Sequence, residues 1–296
     1  MLFYTHNNSK FAFSLDENEF QDSNLKAEYY DKDCCGILGV PFDSSSTYKT
    51  GSRYGPALIR QASYNFERYN LTLDKTLEIP VHDLGDVEII PGNFKRTCQK
   101  VESTVKDLIH QKITPILLGG EHSITYPALK AMGVEDVTVI HFDAHMDMAD
   151  KYMGEKYSHA TVMKRIYDLN PKNIIQIGVR SCSSPEKLFA DENNIKYYTS
   201  QDVYNNFSTI TETIDEINGK IYISVDIDVL DPSFAPSTGN PTPCGLNPFQ
   251  MEKLISALAQ KEVIGMDLVE VASNQLGDIT AINAAKIIYD FLCVKS

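Results

Sequence analysis

The chain has 296 residues, of which 43% are hydrophobic and 23% charged, with a formal net charge of −13. That balance supplies a core for one large α/β domain or two small ones, and its acidity argues against a general nucleic-acid binder, which needs a basic face. The six cysteines (Cys34, Cys35, Cys98, Cys182, Cys244 and Cys293) include no C-x-x-C pair, and the N-terminus shows no basic segment followed by an apolar run. Reduced thiols in a cytoplasmic protein are expected. No apolar stretch approaches the roughly 20 residues that span a bilayer, so no membrane partner is expected.

Residues 1 to about 33 are polar and aromatic without period, and read as an extension packed on the rim. The run CCGILGV at 34–40 reads as the first buried strand. A Gly/Ser/Thr-rich loop follows, and Pro56 suits the first turn of a helix to about Tyr69. Residues 81–87 look short and turn-like. From there helices and strands alternate. Helices are expected at 94–111, 123–132, 160–169, 185–193, 210–217, 249–260 and 279–294. Strands are expected at 114–118, 137–142, 173–179, 195–198, 221–227 and 263–271. Alternation of this kind implies right-handed crossovers and a parallel sheet, and strands that are apolar throughout imply helices on both of its faces. The expected fold is therefore a three-layer α/β/α domain over residues 34–296. No internal repeat or linker divides it.

Ligands of open parallel sheets bind beyond the carboxyl ends of the strands, and acids and histidines collect there. The strand at 114–118 runs into Gly119-Gly120-Glu121-His122, where the glycine pair suggests crowding near a ligand. The strand at 137–142 delivers Asp143, His145 and Asp147, whose spacing by two aims all three one way on an extended chain. The strand at 221–227 delivers Asp226 and Asp228, and the one at 263–271 delivers Glu270. His122, Asp143, His145, Asp147, Asp226 and Asp228 are too many ligands for one zinc ion and suit two neighbouring divalent ions bridged by Asp. Mixed oxygen and imidazole ligation favours Mn²⁺, with Zn²⁺, Co²⁺ or Fe²⁺ as alternatives. His141, inside its strand, reads as a supporting or core residue. His6, His82 and His110 read as surface residues.

Three segments resemble the ureohydrolase family, which includes arginase, agmatinase and formiminoglutamase: GGEHSIT at 119–125, FDAHMD at 142–147 and SVDIDVLDPSFAP at 224–236, continuing through Gly239 and Pro241. GVPFD at 39–43 and GSRYGP at 51–56 resemble its N-terminal pattern, so the likeness runs over residues 34–294. The resemblance implies an arginase-like fold, hydrolysis of a guanidino group to urea and an amine at a two-manganese centre, and a trimer or hexamer. It carries the six metal ligands onto the six residues named above, the guanidinium-holding Glu onto Glu270, and the active-site loop His onto His159.

Arginases carry an Asn where this chain has Ala149, and an Asp where it has Ser183. Those departures point to agmatine as substrate, cleaved to putrescine and urea in polyamine biosynthesis. Guanidinobutyrate, arginine and formiminoglutamate hydrolysis are the alternatives, with a non-catalytic relative further off. Agmatinases have Gly where this chain has Ala160. The expected roles are Asp147 to orient the nucleophile and pass a proton to the leaving amine, Glu270 to hold the guanidinium, and His159 to exchange protons with solvent.

Overall fold

The structure is a computed structural model that describes residues 5–6, 10–15 and 34–296. In chain order its elements are β1 (Thr5–His6), β2 (Cys34–Val40), α1 (Gly55–Ser63), β3 (Tyr69–Asn70), β4 (Lys75–Thr76), β5 (Val81–Val87), α2 (Phe94–His110), β6 (Ile113–Gly119), α3 (Thr125–Met132) and β7 (Val137–Phe142). They continue with α4 (Val162–Tyr167), β8 (Asn173–Val179), α5 (Ser184–Glu192), β9 (Lys196–Thr199), α6 (Ser200–Asn205), α7 (Phe207–Asp215), β10 (Lys220–Asp226), α8 (Pro248–Ala259), β11 (Glu262–Val269) and α9 (Ile279–Lys295).

One sheet takes nine of these strands in the order β1-β5-β2-β6-β11-β10-β7-β8-β9. All neighbours are parallel except β1, which pairs antiparallel with β5 at the edge. Successive residues of one strand feed opposite layers. Ile116 and Leu118 pack with α1, α7, α8 and α9, through Ile59, Ile210, Leu254 and Ile288 among others. Leu117 packs on the other face with α2, α3, α4 and α5, through Val105, Leu129, Met163 and Ala190. Both faces are dry, which is why β6, β7, β8 and β10 show no polar alternation.

The strand order positions the site. β6 and β7 are consecutive in the chain but lie apart in the sheet, and β11 and β10 fill the gap between them. The four strands whose carboxyl ends carry the acids and histidines are thus immediate neighbours.

Several elements differ from the sequence expectation. Residues 81–87 form a full strand, β5, paired with β2 on one side and β1 on the other. Its turn-like look comes from Asp83 and Asp86, which are buried because the guanidinium of Arg60 binds them at 2.8 Å and 2.5 Å. His82 lies on that strand and is buried, not at the surface; His110, at the end of α2, is exposed as expected. Helix α1 ends at Ser63 and not near Tyr69, which instead opens the β3–β4 hairpin. α6 has no counterpart among the expected helices. Most of the expected N-terminal extension, and the side chain of His6, lie outside the described residues. Within it, Phe11 is buried and its N–H donates to Asp83 Oδ2 at 2.6 Å.

At the glycine pair backbone crowds backbone, as expected. A Cβ on Gly120 would lie 2.0 Å from the Phe42 carbonyl oxygen. The backbones touch there, and the Glu121 N–H donates to that same oxygen at 2.7 Å. What crowds Gly120 is the backbone of Phe42. Gly120→Ala should therefore cost about 1–3 kcal/mol of stability, read as a lowered denaturant midpoint at unchanged slope.

Candidate metal centre

All six expected ligands converge. His122 Nδ1 lies 3.2 Å from Asp143 Oδ2 and 3.3 Å from both Asp147 Oδ2 and Asp226 Oδ2. His145 Nδ1 lies 3.3 Å from Asp143 Oδ1 and 3.1 Å from Asp228 Oδ2. The two groups share Asp143, one carboxylate oxygen to each. Ligand atoms of an octahedral ion with bonds of about 2.1 Å sit about 3 Å apart at right angles, close to these separations. His122 Nδ1 and Asp143 Oδ2, both fully enclosed, find no well-directed protein hydrogen bond. Buried polar atoms left over in this way, within a donor set of four carboxylates and two imidazoles, fit a site that would hold two divalent cations.

Neighbouring groups fix which atom of each histidine faces the cluster. Ser224 Oγ donates its one hydrogen to Asp267 Oδ1 at 2.7 Å. It must therefore accept from His122 Nε2–H, 3.0 Å away, so Nδ1 is the ring nitrogen left to face the carboxylates. Asp267 is itself held by the Tyr222 hydroxyl at 2.7 Å. His141 Nδ1 faces the Gln176 amide nitrogen at 2.9 Å, which leaves its Nε2–H toward Asp143 Oδ2, also at 2.9 Å though off the ideal angle. Its contacts match a residue that steadies Asp143 rather than a ligand. Ser224, Asp267 and Gln176 lie within apolar strand runs, where the sequence gives them no signal.

The spacing-by-two argument assumes an extended chain, and the backbone departs from that. β7 stops at Phe142, and Asp147 is in the left-handed region at φ 53°. It is held there because its carbonyl accepts the N–H groups of Met163 and Lys164 at the start of α4, at 3.1 and 3.2 Å. Glu270, also left-handed at φ 66°, is clamped between β6 and β11: its N–H donates to Gly120 O at 2.9 Å and its Oε1 accepts the His122 N–H at 2.8 Å. Such backbone costs about 1–3 kcal/mol per residue and tends to be kept where a side chain must be aimed.

Asp147, Glu270, His159, Asp226 and Asp228 all line one cavity of about 190 Å³. Gly239 keeps the approach to Glu270 open, since a Cβ there would lie 2.9 Å from Glu270 Oε2. The 228–245 loop that carries Gly239 is fastened by Arg180, whose guanidinium donates to the carbonyls of Asp228 at 2.6 Å and Thr242 at 2.8 Å. His159 opens a short helical turn, with Ala160 after it on the cavity wall. Ser183 lines the far end and caps α5, while Ala149 stays outside the cavity and donates its N–H to Ala160 O at 3.3 Å.

Comparisons with known proteins agree with this architecture. The family model described as "Arginase family" matches residues 33–293. A 32.2 kDa protein of Methanothermus fervidus is 54% identical over 283 residues, covering 96% of this chain and 97% of its own. The N(1)-aminopropylagmatine ureohydrolase of Thermococcus kodakarensis is 38% identical over 290 residues, covering 97% and 95%. Among solved structures, the agmatine ureohydrolase of Thermoplasma volcanium superposes with a TM-score of 0.85 at 33% identity, covering 98% of this chain and 95% of that one.

The protein groups alone make an electrostatically tense cluster. Burial, then the Asp228 and Asp143 carboxylates, push Asp226 well above the usual carboxylate range. Burial and Asp143 raise Asp147. Burial alone would lower the two imidazoles, but the carboxylates outweigh it: Asp143, Asp147 and Asp226 hold His122 well above its ordinary value, and Asp228 and Asp143 push His145 up to about 12. Both imidazoles thus keep protons at neutral pH when only protein groups surround them. A protonated imidazole cannot ligate, so cation binding must expel protons and strengthen as pH rises. Chelator-stripped protein titrated with Mn²⁺ at pH 7, in buffers of different ionisation heat, should release protons on binding; no release would contradict this charge assignment.

Proposed function

The chain belongs to the arginase family and is a hydrolase acting on amidino carbon–nitrogen bonds, and on that premise we propose that it cleaves agmatine with water to putrescine and urea, a step of polyamine biosynthesis. One observation carries the choice among guanidino substrates. Among the described residues the cavity is lined by no lysine or arginine, while Glu186 and Glu270, outside the proposed ligand set, add negative charge to it. Arginine, guanidinobutyrate and formiminoglutamate each bring a carboxylate, which would be desolvated there without a cationic partner. Agmatine brings positive charge at both ends.

We assign His122, Asp143, His145, Asp147, Asp226 and Asp228 as metal ligands for two Mn²⁺ ions. When bound, such a pair supplies Lewis acidity and makes a nucleophile available from water at neutral pH. Glu270 holds the guanidinium. Its Oε1 already accepts the His122 N–H, so Oε2, on the Gly239 side, is the freer oxygen and fixes the guanidinium plane. Addition of water's oxygen to the guanidino carbon, cleavage of its bond to the alkylamine nitrogen and delivery of a proton to that nitrogen give urea and the amine. Asp147 and His159 both line the cavity, and we assign Asp147 to carry that proton and His159 to exchange protons with solvent. We further place the enzyme in the cytoplasm as a homo-oligomer, a trimer or hexamer, with residues 34–296 as one catalytic domain. No helix among the described residues is long and apolar enough to cross a membrane.

A second reading is that the substrate is N(1)-aminopropylagmatine, on which the Thermococcus relative is named to act. The carboxylate lining does not separate one amine from two, and the mouth at Thr47 and Tyr48 is open to solvent.

Urea release with Mn²⁺ present should favour agmatine or its aminopropyl derivative over arginine and guanidinobutyrate by about 100-fold or more in kcat/KM. Better turnover of arginine would refute the carboxylate-lined reading. In parallel, Glu270→Gln should lose most turnover, about 100-fold, while retaining both metals by elemental analysis.

A further inference from the structure

Glu121 is the one carboxylate of the strand-end segments that the proposed chemistry does not use. It is buried, and four donors satisfy it. Its Oε2 accepts the N–H groups of Ser44 and Ser45, both at 2.6 Å. Its Oε1 accepts the hydroxyls of Ser123 at 2.6 Å and Ser45 at 2.8 Å. The Ser45 hydroxyl in turn meets His159 twice. It accepts the His159 backbone N–H at 3.1 Å, and it lies 3.0 Å from the ring atom Nδ1.

A hydroxyl has one hydrogen and two lone pairs. Glu121, an acceptor saturated with donors, takes the hydrogen. The His159 backbone N–H takes one lone pair. What remains for the ring is the other lone pair, so Nδ1 must be the donor. We infer that Glu121 and Ser45 are positioning residues that hold His159 as its Nδ1–H tautomer, leaving the lone pair on Nε2 as the base available to the cavity.

Neighbouring contacts limit the alternatives. Among the described residues no protein group bonds His159 Nε2. The Tyr152 ring stands edge-on to the imidazole, centroids 5.3 Å apart, and its hydroxyl bonds Thr47 Oγ1 at 2.9 Å, closing the 45–47 loop over the histidine. The turn that begins at His159 is set by Ser158 and Thr161, with the Ser158 N–H donating to Thr161 Oγ1 at 2.9 Å. Backbone, ring face and ring nitrogen are each restrained. The same carboxylate that shapes the segment before His122 therefore also selects which nitrogen of His159 can move a proton. This deepens the reading of His159 as a proton carrier and rests on it for its catalytic consequence, though not for the tautomer itself.

The test uses the full-length, metal-loaded enzyme. Ser45→Ala should lower kcat about 10-fold or more while leaving KM and metal content unchanged. Ser45→Thr, which keeps the hydroxyl, should recover most of the loss. Because Ser45 acts through the ring, Ser45→Ala should add little in a His159→Ala background. An equal loss in both backgrounds, or a loss carried by KM or metal content, overturns the positioning role. Neutron diffraction of deuterium-exchanged crystals reads the tautomer without reference to activity. Deuterium on Nδ1, with the Ser45 deuterium facing Glu121, is the expected result, and deuterium on Nε2 alone overturns the proposal. Should His159→Ala turn over at the unaltered rate, the proton-carrier reading falls while the neutron map still decides the tautomer.

Discussion

Four aspartates share one dry place at the centre of the sheet's carboxyl edge, and the chain has to make that tolerable. Asp143, Asp147, Asp226 and Asp228 are all buried, and two imidazoles stand between them. Like charges at such distances in a poor dielectric repel by several kcal/mol. Protons can relieve this partly, as the raised Asp226 and His145 show; divalent cations can relieve it fully, because two doubly charged ions cancel four carboxylates. The strand order serves the same end. By inserting β11 and β10 between β6 and β7, the fold brings strand ends far apart in the chain close enough to share one charge problem.

The rest of the site supplies orientation. Asp147 and Glu270 occupy left-handed backbone, a conformation that neither an ordinary strand end nor an ordinary turn would choose for glutamate. In both cases the restoring force is identifiable: N–H groups of α4 on the Asp147 carbonyl, and the Gly120 carbonyl and His122 N–H on Glu270. The cost of the strain is met by hydrogen bonds that would otherwise be missing at a strand end and a helix start. Aim is thereby bought with backbone geometry, leaving Glu270 Oε2 clear of the His122 N–H that occupies Oε1.

How much of this was written in the sequence depends on the kind of signal. Alternating periodicities and strands apolar on both sides gave the layers, and most helix and strand positions, because burial on both faces leaves a composition that turns and loops do not share. β5 was misread because its aspartates look like turn residues, and only the distant Arg60 makes them buriable. Asp143, His145 and Asp147 were legible as a group through residue type and spacing, yet their geometry was not, since a single left-handed residue replaces the straight strand the spacing assumed. The supporting residues Ser45, Glu121, Ser224 and Asp267 were illegible: a serine declares nothing until its three hydrogen-bond neighbours are known.

Those serines share a logic that runs in the same direction through different histidines. In each, a buried carboxylate claims the hydroxyl hydrogen, and the serine oxygen is thereby obliged to accept from an imidazole N–H. Asp267 and Ser224 place a hydrogen of His122 on Nε2, turning its Nδ1 toward the carboxylate cluster. Glu121 and Ser45 place the hydrogen of His159 on Nδ1, turning its Nε2 lone pair toward the cavity. Imidazole has two nearly equivalent tautomers in water, so a histidine's task is undefined until something chooses between them. Here the choice is made from outside the ring, by carboxylates that touch neither cations nor substrate. The sequence Glu121-His122 puts one such carboxylate next to a proposed ligand, so that a single strand end constrains both the carboxylate cluster and the His159 ring.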